Sequence, residues 1–332
     1  MSEAAELYRL MPDVDIVRRA NVLLLVSRSS GASVRVSPAA EPLLPMLAQG
    51  TTQAALAATL QQRHPLAQDV GAKLQVFLQP LVRSGVVATR ESAVRRRRGW
   101  AKFELFRPDP LAHWLAQRVL ALPQVLRRAS LGLLLAMPVA GLLLLVASGR
   151  LPPASALVNA FAPGGLLLFA LLLVPLHEAS HALACRMAGV AVGGGGILLH
   201  GGIMPGPYIE TTQAYRVAGR WPRFLIPAVG PLVNLLGAGA AAWLLWLGVG
   251  PQALLTTFFL LCVLFVYLDT NPFGPTDGAR MLEALLDDEL ARRQAWVIKR
   301  LREADRRSAL IYRRVCVLHL ATAALLLYLW LR

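Results

Sequence analysis

The segment His177-Glu178-Ala179-Ser180-His181 sets two imidazoles four residues apart, with a carboxylate directly after the first. On an α-helix, at about 100° per residue, such positions differ in direction by roughly 40°. Both rings therefore point to one side and can grip a single zinc ion, while Glu178 lies where a carboxylate takes a proton from metal-activated water. The motif is short, but its setting is unusual. Leu166 to Leu176 precede it and Ala182 to Ala184 follow, so three ionisable groups sit inside an apolar run of membrane-spanning length. Ionisable groups in such a run are costly unless satisfied, which marks them as functional.

Two imidazoles leave zinc short of the three protein ligands typical of a hydrolytic site. The candidates are Asp277, in Asn271-Pro272-Phe273-Gly274-Pro275-Thr276-Asp277-Gly278, then Asp269, and at greater remove Glu210. Spacing alone does not separate Asp277 from Asp269. Cys185, four residues after His181, reads as a small apolar core residue rather than a ligand. His200 is a lone histidine with no assigned role.

These residues have to be carried by membrane helices. The chain has 332 residues, is 56% apolar and only 16% charged, yet its formal net charge is +15. The apolar residues must therefore be segregated from the arginines. They fall into five blocks: Ala129 to Ser148, Gly164 to about Met187, Phe224 to about Gly248, Gln252 to about Asp269, and a shorter Val315 to Leu331. Each is near the roughly 20 residues that a helix needs to cross the hydrocarbon. Arginine-rich segments at 186–223 and 280–314, against a single Arg150 between the first two blocks, put those segments and the N-terminal region on the cytoplasmic side. The second and fourth spans then both run inward and bring His177, His181, Asp269 and Asp277 to one side. A basic chain with such blocks is not read as a nucleic-acid binder. Three cysteines at wide spacing support neither a disulfide framework nor a cysteine–zinc site.

The expected architecture is mainly α, a polytopic membrane helical bundle of about five spans with a small α+β winged-helix domain at its N-terminus. In residues 1–92, Asn21 to Val26 and Ala32 to Val36 flank Ser29-Ser30-Gly31 as a hairpin. Ser37 caps a helix running to about Gly50, with Pro38 at its first position; Thr51-Thr52 open a second that ends near His64-Pro65. A third, from Leu66 to about Ser84, carries Val70, Leu74, Phe77, Leu78 and Leu81 at helical spacing, and Val86 to Thr89 return as a strand. No cleavable secretion signal is expected. Residues 93–128 read as a basic linker, with Arg95 to Arg98, followed by an interfacial amphipathic stretch bearing Phe103, Phe106 and Trp114. Residues 129–286 hold the candidate chemistry. Residues 287–332 form a cytoplasmic amphipathic helix and the last span.

Three ordered motifs, His177-Glu178-Ala179-Ser180-His181, Gly230-Pro231-Leu232-Val233-Asn234 and Asn271 to Gly278, resemble the signatures of the site-2 protease family of intramembrane zinc metalloproteases, over roughly Ala129 to Leu286. The compact aspartate motif is nearest the peptide zinc metalloprotease branch, although Ala279 stands where that branch often has tyrosine. The resemblance implies His177, His181 and Asp277 as ligands of Zn2+, Glu178 as catalytic base, and Asn234 and Asn271 near the substrate carbonyl. It also implies that the glycine-rich stretch Gly193 to Gly206 forms a short hairpin whose open edge pairs with an unwound substrate; a flexible loop is the alternative reading. The N-terminal region resembles the PqqD-like peptide-binding winged helix.

The expected activity is hydrolysis of peptide bonds in a membrane-associated or ribosomally made precursor peptide, in the cytoplasmic membrane of a bacterium. The expected partners are a peptide or membrane-protein substrate, the lipid bilayer, and an ABC transporter or other peptide-maturation proteins, with no nucleic acid. Cleavage of a membrane-tethered regulator or signal-peptide remnant is the alternative. A transport or immunity protein that keeps the metal without proteolysis is another. A membrane-anchored DNA-binding regulator is disfavoured, since Thr52 to Gln62 contains no cation.

Overall fold

A computed structural model describes residues 6–19, 22–27, 33–63, 69–89, 102–200, 204–298 and 303–331. The arginine block at 95–98 and the Ser29-Ser30-Gly31 turn lie outside them. The chain groups into two compact units, Met1–Lys102 with Leu199–Met204, and Phe103–Leu198 with Pro205–Arg332.

In the first unit, β1 (Leu7–Leu10) and β2 (Val14–Arg18) precede the hairpin of β3 (Leu23–Ser27) and β4 (Ser33–Val36). One antiparallel sheet runs β2-β3-β4, with Leu25 opposite both Ile16 and Val34. Its central strand is buried throughout, which is why it reads as an unbroken aliphatic run. Ser37 caps the next helix by accepting from the Ala39 N–H at 3.3 Å. That helix opens as a 3-10 segment, Pro38–Leu43, and continues as α1 (Leu44–Gln49), which stops at Gly50 with φ 88°. β5 (Thr51–Thr52), α2 (Gln53–Arg63), α3 (Val70–Arg83) and β6 (Val87–Ala88) complete the unit, with β1 between β5 and β6 in a second sheet. Leu74, Leu78 and Leu81 of α3 pack with Leu23, Leu25, Leu47 and Leu56 in the core. The hairpin and three helices are as expected from the sequence. β1 and β2 are additional, and α3 starts at Val70 rather than Leu66.

The second unit opens with β7 (Lys102–Phe106), a strand where the sequence reading placed an amphipathic stretch. Lys102 to Leu105 alternate polar and apolar with period two, as a half-buried strand does. α4 (Asp109–Ala121) follows, then five helices long and apolar enough to cross a membrane. These are α5 (Gln124–Ala147), α6 (Pro163–Met187), α7 (Arg220–Leu247), α8 (Gln252–Asp269) and, after the short α9 (Asp277–Leu286), α10 (Glu303–Leu331). Mainly helical architecture with small three-stranded sheets is thus what the chain adopts. α5 starts five residues earlier than the hydropathy block, because Arg127 and Arg128 continue its first turns.

α7 is the hub. Gly239 meets the Pro138 backbone of α5, and Gly141 of α5 fits against the Trp243 ring, so absent side chains let these two helices approach closely. Gly165 of α6 does the same against the Leu254 carbonyl and Thr257 of α8. Within α6, Pro175 offers no N–H to the preceding turn, and Phe169–Leu173 relaxes into a π-helical turn before the chain enters the His177–His181 segment. Between α6 and α7 the glycine-rich stretch forms β8 (Gly195–His200) and β9 (Met204–Ile209), in a sheet ordered β7-β8-β9. Gly196 is backed directly by the Phe103 carbonyl, an approach that only a residue without Cβ permits.

Candidate metal centre

His177 and His181 project from the same side of α6, their ring centroids 4.9 Å apart and their planes at 77°. α9 brings Asp277 to them from the far end of the loop after α8. The Oδ2 of Asp277 lies 3.3 Å from the Nε2 of His177 and 3.2 Å from the Nε2 of His181. One ligand atom from each of the three residues falls within 4.8 Å of the others. Among the described residues this is the one group of three such side chains close enough to share an ion.

Asp277 and Asp269, which spacing left as rivals, fall on opposite faces of His177. Asp269 approaches Nδ1, at 3.7 Å, not Nε2. It is oriented in turn by buried Asn234, whose amide donates to Asp269 Oδ2 at 2.7 Å. The Nδ1 of His181 faces the Ile226 carbonyl at 2.7 Å. The Nδ1 of each ring thus faces an oxygen, within hydrogen-bond reach for His181 and farther off for His177, while both Nε2 atoms face the shared space.

Gly230 of α7 forms the wall behind the rings. A Cβ built there would lie 2.5 Å from the Nε2 atoms of both His177 and His181. A side chain at 230 would thus occupy space bordering the atoms that would bind an ion. Two imidazole nitrogens and one carboxylate oxygen, beside a wall kept clear by glycine, are a donor set that suits a divalent transition metal such as zinc. The sequence reading quoted Gly230 as part of a motif without giving it this role.

The loop presenting Asp277 is tied at several points. Asn271 Oδ1 accepts from the Phe273 N–H at 2.8 Å, Thr276 donates to the Asn271 carbonyl, and Thr276 Oγ1 caps α9 by accepting from the Ala279 N–H at 3.3 Å. Gly278 lies against the Thr270 carbonyl with no space for a Cβ. Buried Tyr312 of α10 donates to the Pro272 carbonyl at 2.7 Å. Asn271 is accordingly placed in the frame of this loop, and Asn234 on Asp269.

Glu178 follows His177 on α6, and the Ile209 N–H at the end of β9 lies near its carboxylate. The next residue, Glu210, exchanges backbone hydrogen bonds with Gly193 and Gly194, its N–H donating to the Gly194 carbonyl at 3.0 Å and its carbonyl accepting from Gly193 N–H at 2.9 Å. Backbone groups alternate along a strand, so Ile209 directs its N–H away from β8, toward Glu178. The Glu210 side chain accepts from Thr212 and stands outside the His–His–Asp group. Cys185 is fully buried among Ala112, Ala182, Val192, Val217 and Ile226, the apolar core position expected of it. Arg280, one turn past Asp277, has Tyr215, Asp277, Glu210 and Glu283 as its charged and polar neighbours, a feature that motif reading does not reveal.

The sheet carrying β9 is secured to α6 from the other end. Asp109, first residue of α4, pairs with both Arg186 of α6 through two hydrogen bonds and accepts from the Val192 N–H at 2.8 Å. Burial opposes its charge, but these donors prevail and depress its pKa.

No family model matches the chain, and neither a curated protein nor a solved structure does.

Proposed function

We propose that this chain is an intramembrane zinc metalloprotease of the site-2 type, acting on a membrane-associated or ribosomally made precursor peptide. The observation that carries the reading is the convergence of His177, His181 and Asp277, from two separate helices, beside Glu178 and in space kept clear by Gly230. Held by those three residues, zinc would supply Lewis acidity and a water whose proton is lost near neutral pH.

The residues of the chain have distinct tasks in that chemistry. Glu178 accepts a proton from the attacking water and delivers it to the leaving amine. Its carboxylate lies near the Ile209 N–H, beside the outer edge of β9. A peptide laid in extended form along this edge would present its carbonyls next to the base, by the strand-addition mode of recognition. A helical substrate must unwind first, because its carbonyls are otherwise engaged in its own hydrogen bonds. Asn234 and Asp269 hold His177 in orientation. Five helices long and apolar enough to cross a membrane support a site within the hydrocarbon of a bilayer, and the arginine-rich segments favour the cytoplasmic side for those segments.

The test is a pair of variants in purified full-length protein. Glu178→Gln is expected to keep stoichiometric zinc and to lose cleavage of a membrane-embedded peptide; His181→Ala is expected to lose both. Wild-type cleavage by the Gln variant would remove Glu178 from the mechanism.

A further inference from the structure

A second feature of the helical unit lies away from the zinc-binding face. A crevice of about 620 Å³ runs between α6 and α7, lined by Leu176, Ala179 and Leu183 of α6, Gly237 and Ala240 of α7, and Leu115 of α4. Its lining is apolar almost throughout. Ser180 borders it, but the Ser180 hydroxyl is spent on the His177 carbonyl at 2.6 Å. At about 100° per residue, Leu176, Ala179 and Leu183 lie on a face of α6 far from Glu178. The crevice is therefore not a continuation of the catalytic side.

Size and charge together identify an occupant. A transmembrane helix crossing the hydrocarbon displaces on the order of 2000 Å³, several times what the crevice holds. A single acyl chain is of the right scale and needs no polar partner. At the α4 end the character changes. Arg118 stands one turn beyond Leu115 on α4, over the ring of Trp114 at 5.4 Å, and no carboxylate pairs with it among the described residues. Arg127 and Arg128 follow in the first turns of α5, and the Nε of Arg127 is shut away without an acceptor. Asp109, the one acid of α4, is already taken by Arg186. Leu111, Trp114 and Leu122 remain exposed beside these cations. An apolar slot that ends at uncompensated arginines and a tryptophan has the polarity profile of a phospholipid at the membrane boundary.

We propose that the α6–α7 crevice is a binding site for one anionic phospholipid, its acyl chain between α6 and α7 and its phosphate at Arg118. The site rests on the five helices crossing a membrane and is independent of the zinc chemistry. Because Ala179 and Ser180 belong to the zinc-binding helix, the lipid is in direct contact with the element that carries His177 and His181.

The experiment is native mass spectrometry of the full-length protein in mild detergent, delipidated and then offered dioleoyl phosphatidylglycerol or dioleoyl phosphatidylcholine. One phosphatidylglycerol per chain should be retained, in preference to the zwitterionic lipid. Arg118→Ala should weaken its retention about tenfold, as expected for loss of a charge-assisted contact. Ala240→Phe, at an exposed position where the ring fills the crevice, should abolish it while zinc content and helix content stay at wild type. Equal retention of the two lipids, or unchanged phosphatidylglycerol retention in either variant, overturns the proposal. Loss of zinc with lipid binding intact would count against the metalloprotease reading alone.

Discussion

Gly230→Ala separates a metal site from a mere packing cluster. The added methyl would stand 2.5 Å from both Nε2 atoms, where ordinary contacts begin at 3.4 Å, so each ring must retreat by about 0.9 Å or the helices must part. A site that needs its ligands placed to within about 0.5 Å does not survive such a shift, and a displacement of about 1 Å typically costs on the order of a hundredfold in function. Zinc affinity should accordingly fall about a hundredfold. The backbone pulls the other way, since replacing a mid-helix glycine by alanine gains about 0.5–1 kcal/mol of intrinsic helix stability. The variant is thus expected to keep its helix content while losing metal. The assay is competition with a chromophoric chelator in detergent, alongside far-UV circular dichroism. Gly132→Ala in α5 is the control: nothing lies within 4 Å of its Cβ position, and zinc affinity should be unchanged. Wild-type zinc affinity in the Gly230 variant would refute the argument that the space beside the rings is where an ion binds.

Further consequences follow from the surroundings of the site. Asp269→Asn should lower zinc affinity by about 10–100-fold without removing a ligand, the usual cost of losing a partner that orients a metal-binding histidine, whereas Asp277→Asn should abolish stoichiometric binding; the same chelator competition distinguishes them. Tyr312→Phe frees the Pro272 carbonyl and loosens the loop that presents Asp277, so zinc affinity should fall by a smaller, severalfold factor at unchanged helix content. The depressed pKa of Asp109 makes the α4–α6 contact depend on acid. Its stabilisation is fully present above the ordinary carboxylate pKa of about 4 and is lost as pH falls below that toward the folded-state value. Protease nicking near α4 should rise in that window, and Asp109→Asn should show the same exposure already at neutral pH.

The pairing of His177 with His181 was the most legible feature of the sequence, because helical spacing alone puts them on one side and their apolar flanks make them expensive. The choice between Asp277 and Asp269 was not legible. Both sit at the same end of α8, and only the turn through Asn271 to Thr276 decides which nitrogen each approaches. Gly230 left one clue, a glycine between two prolines in a long apolar helix, but its role depends on a neighbouring helix that no local pattern encodes. Four spans were readable to within five residues, and the last was not, since α10 starts at Glu303 and not at Val315; starts were missed where arginines in the first turns of α5, α7 and α10 extend the helix past the apolar block. β7 was not foreseen as a strand, because two phenylalanines and a leucine near arginines mark an amphipathic stretch without fixing its backbone, and only pairing with β8 settles it. The π-helical turn before His177 had one local sign, Pro175, which offers no N–H to the preceding turn.

Metal analysis by inductively coupled plasma mass spectrometry, on full-length protein purified in detergent without chelators, bears most directly on the account. It predicts one zinc per chain in the wild type and in Glu178→Gln, and none in His181→Ala or Asp277→Asn at equal helix content. Folded wild-type protein that holds no zinc, or ligand variants that hold as much as wild type, would contradict it.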